Sequence, residues 1–168
     1  MKAGTTSIVG ASTAVAVLIA DQASKLWALN ALKVEGASQH LIGAFNATLV
    51  FNRSNAFGVV PVAGELTRWG LVSFNVIVAA ALVWWLLRYT HRFLSAMGVG
   101  LLIAGALGNA LDRSRLGFVV DFLDASALGF HWVFNVADSA VNAGVGCLVL
   151  TTIILPALQQ RRATGVSA

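Results

Sequence analysis

Residues Trp69–Leu87 read WGLVSFNVIVAAALVWWLL, nineteen positions with no charge, tryptophan at one end and a tryptophan pair near the other. An apolar interior flanked by aromatic rings is the pattern of a helix that crosses a bilayer with its rings at the two interfaces. Sixteen residues separate Trp69 from Trp85, roughly 24 Å of helix at 1.5 Å per residue, which matches a hydrocarbon core entered with little tilt. Ser73 and Asn75 are the polar residues of its interior.

The rest of the chain has the same character. Of 168 residues, 58% are apolar and 11% are charged, and the mean hydropathy is +0.80; a soluble domain carries charge on about a quarter of its residues. Three further apolar stretches cover about 8–32, 93–111 and 136–155, so the sequence predicts four transmembrane helices. The first is too long for a cleavable signal and carries Asp21, Gln22, Ser24 and Lys25 in its second half. The third (AMGVGLLIAGALGNAL) is rich in the small residues that let helix backbones approach in lipid. The fourth is expected to end before Pro156, with a basic tail beyond. A chain this short, mostly spent on spans, leaves no room for two catalytic domains. The net charge of +4 and pI near 10 suggest an anionic partner, but the basic residues are scattered singly and make no stripe for nucleic acid. The single cysteine, Cys147, allows no intramolecular disulfide and no cysteine-based zinc site.

Four crossings put both termini and the short turn RYTHR (88–92) on one side. Lys2, Arg88, Arg92, Arg161 and Arg162 lie there without any acid, while all seven Asp and Glu residues and the other six basic residues lie elsewhere. The positive-inside rule votes for cytoplasmic termini, although the two sides hold nearly equal numbers of Lys and Arg. Two connections then face outward, about 33–68 and 112–135. In the first, NATLVFN followed by Asn55, Gly58, Pro61 and Gly64 predicts short strands and turns. In the second, large apolar residues alternate with polar ones, which predicts an amphipathic element on the membrane surface.

Polar residues at membrane depth cost roughly 2.5–3.5 kcal/mol each for ionisable groups, so each is a candidate for function. Asp21 and Lys25 stand one helical turn apart and can form an ion pair, either structural or part of a site. Asn52, Arg53, Ser54 and Asn55 form a polar turn that turn chemistry alone would explain. Asn109, Asp112 and Arg113 share one side of the third helix, where Asp beside Arg reads as a salt bridge or as part of a site. Asp138 begins the fourth helix and could be an N-terminal cap. Asp121, in FVVDF, has no such ordinary role. Should the second connection fold back, Asp121 and Asp138 would meet, and two carboxyls that close cannot both ionise. A shared proton would suit them to activate water and protonate a leaving amine.

Taken together, Asp21-Gln22-Ala23-Ser24-Lys25, Asn52 with Ala56-Phe57-Gly58, GALGNALDR (105–113), GFVVDF (117–122) and FNVAD (134–138) resemble, in order, the motifs of the lipoprotein signal peptidases (signal peptidase II). The resemblance covers most of the chain. It implies one integral membrane peptidase domain over 1–168: four transmembrane helices, a small extracytoplasmic β-cradle at about Gln39–Val62 and the surface element. The implied activity is that of an aspartic endopeptidase of the bacterial inner membrane, active at the extracytoplasmic face. It would remove signal peptides from diacylglyceryl-modified prolipoproteins, cutting before the lipidated cysteine. By that match Asp121 and Asp138 would be the catalytic dyad. Asn52, Asn109, Asp112, Arg113 and Asn135 would bind substrate or order the site, and Asp21 and Lys25 would support activity or stability. No metal or other cofactor and no nucleic acid is implied; the partners are lipid and membrane-embedded substrate, and the chain is expected to be a monomer. Arg53-Ser54-Asn55-Ala56 departs from the Gly-Ala-Ala-like stretch common in the family, which bears on the shape of the substrate groove. Two other readings predict different patterns: a proton-coupled transporter would spread polar residues through the depth of several spans, and an assembly subunit would use the Gly-rich third span as a partner interface.

Overall fold

The computed structural model describes residues 3–53, 64–90, 92–130 and 132–163. Lys2 and the Ser54, Asn55, Ala56, Phe57, Gly58 and Pro61 of the first connection lie outside the described residues. Helix α1 spans Ala3–Leu32, strands β1 and β2 span Ser38–Ile42 and Phe45–Asn52, and helices α2 and α3 span Glu65–Tyr89 and Phe93–Leu116. Strand β3 (Val119–Asp124), a short 3-10 turn (Ser126–Leu128) and strand β4 (Val133–Phe134) lead to α4 (Val136–Val149). A π turn (Leu150–Ile154) then continues into α5 (Leu155–Ala163). Among the described residues four helices are long and apolar enough to cross a membrane, the fourth running through the π turn to Gln160. Large apolar side chains such as Ile8, Val15, Ile19, Phe74, Ile77 and Ile153 stay exposed on the outside of the bundle, as expected where lipid replaces water.

Helix α3 is the central element and packs against α1, α2 and α4. Its glycines explain why. A Cβ on Gly98 would lie 3.0 Å from the Gly144 carbonyl oxygen of α4, and one on Gly105 would lie 2.6 Å from the Ala137 carbonyl oxygen. Gly100 and Gly108 instead face α1, Gly100 against the Gly10 backbone and Gly108 against the Asp21 carboxylate. Two glycine stripes on one helix thus let two neighbours approach its backbone. On a third side, Ala96, Val99 and Ile103 pack with Leu86 of α2.

Two helix ends differ from the expected boundaries. The third helix runs five residues past Leu111, because its polar last turn is paired: Asp112 and Arg113 are buried, and Gly117 (φ 84°) closes the helix with its N–H on the Arg113 carbonyl. Arg68 of α2 completes the cap, donating through Nε to the Arg113 carbonyl and through Nη2 to the Ser114 carbonyl, each at 2.7 Å. A cation at a helix C-terminus is favoured by the dipole. The fourth helix does not stop before Pro156. The backbone widens into the π turn, where the Leu155 N–H reaches the Leu150 carbonyl, so the proline ring meets a loosened ladder instead of a tight α-turn.

The four strands form one antiparallel sheet in the order β1-β2-β3-β4. The strands expected in the first connection are present. The second connection, expected as an amphipathic surface element, instead gives two strands joined through the 3-10 turn, with Leu128, Phe130 and Trp132 exposed; its alternation was that of a strand, with period two. Ala47, Leu49, Val120 and Phe122 turn one face of the sheet onto Ala28 and Leu32 at the end of α1. Asp121, between Val120 and Phe122, therefore points to the other face.

The glycine contacts predict opposite outcomes for two alanine substitutions. Gly108→Ala would push a methyl group to 2.6 Å from Asp21 Oδ2 and should destabilise the protein by about 1–3 kcal/mol. Gly146→Ala meets nothing within 4 Å and should be neutral or stabilising by up to about 1 kcal/mol through helix propensity. Thermal melting of the purified variants in one detergent checks both; equal melting temperatures would contradict the packing of α3 on α1.

Candidate active site

The candidate residues from five separate motifs converge where α1, α3, the sheet and the start of α4 meet. The fourth helix begins with a capping box. Asn135 is the N-cap, its Oδ1 accepting the Asp138 N–H at 2.9 Å, and Asp138 Oδ2 accepts the Asn135 N–H in return at 3.3 Å. Asp138 is thus the third residue of the helix and not its cap, with its carboxylate in the first turn where the dipole favours it.

Asn135 is fully buried, and its side chain links the two aspartates. Its Nδ2 donates to Asp121 Oδ1 at 2.6 Å and to Asn109 Oδ1 at 3.3 Å. Asn109 Nδ2 donates to Asp138 Oδ1 at 2.9 Å. On the far side, Asn52 Nδ2 donates to Asp121 Oδ2 at 2.9 Å. Each aspartate therefore receives carboxamide N–H groups, and no lysine or arginine ion pair occupies Asp121 or Asp138 among the described residues. Burial pushes the Asp121 carboxyl up to about 7, and the charge of Asp138 adds to the rise against the pull of the Asn52 and Asn135 hydrogen bonds. The two aspartates are electrostatic neighbours, as folding back of the second connection requires.

Beneath this layer lies an ion cluster. Lys25 Nζ contacts Asp21 Oδ2 at 2.9 Å and Asp112 Oδ2 at 2.8 Å, with all three side chains almost completely buried. The expected intrahelical Asp21–Lys25 pair is there. Asp112, expected to pair with its neighbour Arg113, pairs with Lys25 across the helices instead, because residues adjacent in a helix point about 100° apart. Both acids also hold backbone: Asp21 through its other oxygen, Oδ1, accepts the Ala137 N–H at 2.8 Å, and Asp112 Oδ2, the oxygen that meets Lys25, accepts the Val120 N–H as well at 3.1 Å. Lys25 also donates to Asn109 Oδ1 at 3.3 Å. Arg113 lies buried behind Asn109, donating to its carbonyl at 3.4 Å, within electrostatic reach of Asp138, Asp121 and Asp112.

The sequence reading gave no role to Gln22, whose Nε2 reaches Asp21 Oδ2 at 3.1 Å and Asp112 Oδ1 at 3.0 Å. Its place inside the first motif was the available signal. Nor did it foresee Glu35, which accepts the Phe51 N–H at 3.0 Å and clamps Arg53 at 3.2 Å while that guanidinium covers the Phe51 and Phe118 rings. Eighteen residues of separation across a turn left no pattern to read. Among the described residues no group of three or more His, Cys, Asp or Glu is placed to hold a metal ion.

The ion cluster predicts a large effect of charge removal. Lys25→Met would leave Asp21 and Asp112 buried without their cation and should destabilise the protein by about 3–5 kcal/mol. Lys25→Arg, which keeps the charge, should lose less; a thermal shift of similar size for both would argue against the charge as the cause.

Known proteins resemble this chain in sequence and fold. Residues 13–154 match the profile of the family described as signal peptidase (SPase) II. The lipoprotein signal peptidase of Caulobacter vibrioides is 43% identical over 143 residues, 84% of each chain. That of Methylobacterium sp. is 40% identical over 148 residues, 87% of this chain and 89% of the relative, and that of Cupriavidus necator is 37% identical over 149 residues, 88% and 85%. Two solved structures described as bacterial membrane enzymes superpose with a TM-score of 0.74 each: one at 28% identity covers 98% of this chain and 93% of its own, the other at 30% identity covers 89% and 93%. A profile match through all four spans and relatives above 35% identity along most of their length place the chain in the lipoprotein signal peptidase (signal peptidase II) family, a family of membrane proteases.

Proposed function

We propose that this protein is an aspartic endopeptidase that removes signal peptides from diacylglyceryl-modified bacterial prolipoproteins, cutting just before the lipidated cysteine, with Asp121 and Asp138 as its catalytic dyad. The observation that carries the reading is the pair itself: a buried Asp121 raised to about 7 by desolvation and by Asp138, with Asn135 between them. Signal peptide removal from prolipoproteins is the activity of the family.

The chemistry follows from one proton held between two carboxyls. Below about pH 7 the raised carboxyl of Asp121 holds its proton. The charged member takes a proton from a water molecule as its oxygen attacks the scissile carbonyl carbon. The neutral member gives its proton to the carbonyl oxygen, forming a tetrahedral diol. As the C–N bond breaks, the first carboxyl delivers its new proton to the leaving amine and the second recovers its own, so the dyad returns to its starting state. In a coupled pair these parts belong to the dyad as a unit. Asn52, Asn109 and Asn135 fix the carboxyl orientations, and the cluster of Lys25, Asp21, Asp112 and Arg113 holds the elements that carry them.

Orientation supports the same reading. Asp21, Asp112, Asp121 and Asp138 gather at the sheet end of the bundle, and the other end carries arginine without acid. By the positive-inside rule that other end, with both termini, faces the cytoplasm, and the dyad opens at the extracytoplasmic surface of the inner membrane. A substrate would enter sideways from lipid as a monomeric enzyme's partner, with its signal helix among the spans and its scissile bond at the rim where water is available.

Two measurements test the proposal. Asp121→Asn and Asp138→Asn should each lower kcat/KM for a lipidated precursor peptide at least about 100-fold while the protein still accumulates in the membrane; full activity in either variant removes that residue from the dyad. The pH profile follows from the sign of the shift: a carboxyl raised to about 7 is protonated below that pH and charged above it. The kcat/KM of the wild type should therefore fall with rising pH beyond about 7, approaching tenfold per unit. A profile flat to pH 9 would show that Asp121 does not supply the proton.

A further inference from the structure

At the opposite end of the bundle from the dyad, a cavity of about 370 Å3 opens between the end of α2, the start of α3 and the π turn. Trp85, Tyr89, Val99 and Leu148 contribute apolar walls, and Arg92, Ser95 and Thr152 supply polar groups. We propose that this cavity binds the phosphate headgroup of an anionic phospholipid, with Arg92 as its recognition residue.

The reason begins with backbone hydrogen bonding. In the π turn the Leu155 N–H bonds to the Leu150 carbonyl, five residues back. The same register would pair the Thr151 carbonyl with the N–H of residue 156, which is proline and has none. Arg92 Nη1 takes that carbonyl at 2.8 Å. One of five guanidinium N–H groups is thereby committed, and the plane of the others is fixed beside the cavity. The Ser95 hydroxyl, bonded to Thr151 Oγ1 at 3.0 Å, ties α3 to the same turn. A preoriented planar fork of donors suits phosphate oxygens.

Charge and position select the occupant. Arg88 lies in sequence between the lining residues Trp85 and Tyr89, and all seven acidic residues of the chain lie toward the sheet end or on the connections there, so among the described residues no acidic side chain neutralises the arginines or would hold a cation. The rim is continuous with helix surface that faces lipid: Trp84, Ile153, Ile154 and Leu155 are exposed around it. A headgroup seated on Arg92 would leave its acyl chains along that surface, which a soluble phosphate cannot do. The positively charged leading segment of another polypeptide would be repelled.

Native mass spectrometry of the purified full chain in non-ionic detergent tests the assignment, with phosphatidylglycerol, phosphatidylcholine and glycerol 3-phosphate as probes. Wild type should retain phosphatidylglycerol at least tenfold over phosphatidylcholine and should bind no glycerol 3-phosphate. Arg92→Ala should abolish the preference. Because that variant also frees the Thr151 carbonyl, Arg92→Gln provides the decisive comparison: its amide can still donate to the carbonyl, yet it carries no charge, so it should melt like wild type and lose the preference for phosphatidylglycerol. Equal retention of both lipids by wild type, or an intact preference in Arg92→Gln, overturns the proposal. Binding of glycerol 3-phosphate as tight as that of the lipid would assign the cavity to a soluble phosphate and overturn it as well.

Discussion

The ammonium group of Lys25 is the point on which the site is built. It neutralises Asp21 and Asp112, and each of those acids uses another lone pair to hold a backbone N–H of a site element: Ala137 at the start of α4 and Val120 on β3. Asp138 lies one residue after the first of these, and Asp121 one residue after the second. The same ammonium also orients Asn109, whose amide donates to Asp138. A buried ion triplet is a poor source of net stability, because desolvation offsets much of the attraction. Its value here is geometric. Lysine fixes two carboxylates, and they fix the two strands of backbone that bring distant aspartates together.

Above that cluster the physics reverses. Asp21 and Asp112 share a cation and satisfy every oxygen, whereas Asp121 has only amide donors among the described residues and is buried, so its carboxyl is pushed up to about 7. Two pairs of acids in one small volume are thus separated in character by what surrounds them. The lower pair holds backbone. In the function proposed here the upper pair shares a single proton, the condition that acid and base catalysis by two carboxyls requires.

Close approach of the helices makes both layers possible. Gly108 places the α3 backbone against Asp21, and Gly105 places it against Ala137, so α1 and α4 are brought within hydrogen-bond range of each other through a single helix. At the other end the π turn and Pro156 leave a carbonyl that α3 must satisfy through Arg92. The bundle is therefore pinned at both ends by side chains that answer unsatisfied backbone groups, because lipid supplies no hydrogen bonds of its own.

Much of this was legible in the residue pattern. Long apolar runs determine the four spans, the second of them bounded by tryptophan at both ends, since transfer into lipid depends on composition over about 20 residues and not on tertiary contacts. The motifs, each short and local, marked Asp121, Asp138, Asn52, Asn109, Asn135, Asp21 and Lys25 as candidates. What the chain alone left open was pairing. Asp112 beside Arg113 reads as an ion pair, and only the packing of α1 on α3 assigns it to Lys25; α3 reads as ending at Leu111, and only Arg68 arriving from α2 explains its last turn. The second connection reads as a surface element and becomes sheet because β2 offers it an edge. Local composition decides which segments leave water, but partners for buried charges and open backbone groups are chosen by whichever groups the fold brings within 3 Å, and those come from the far ends of the sequence.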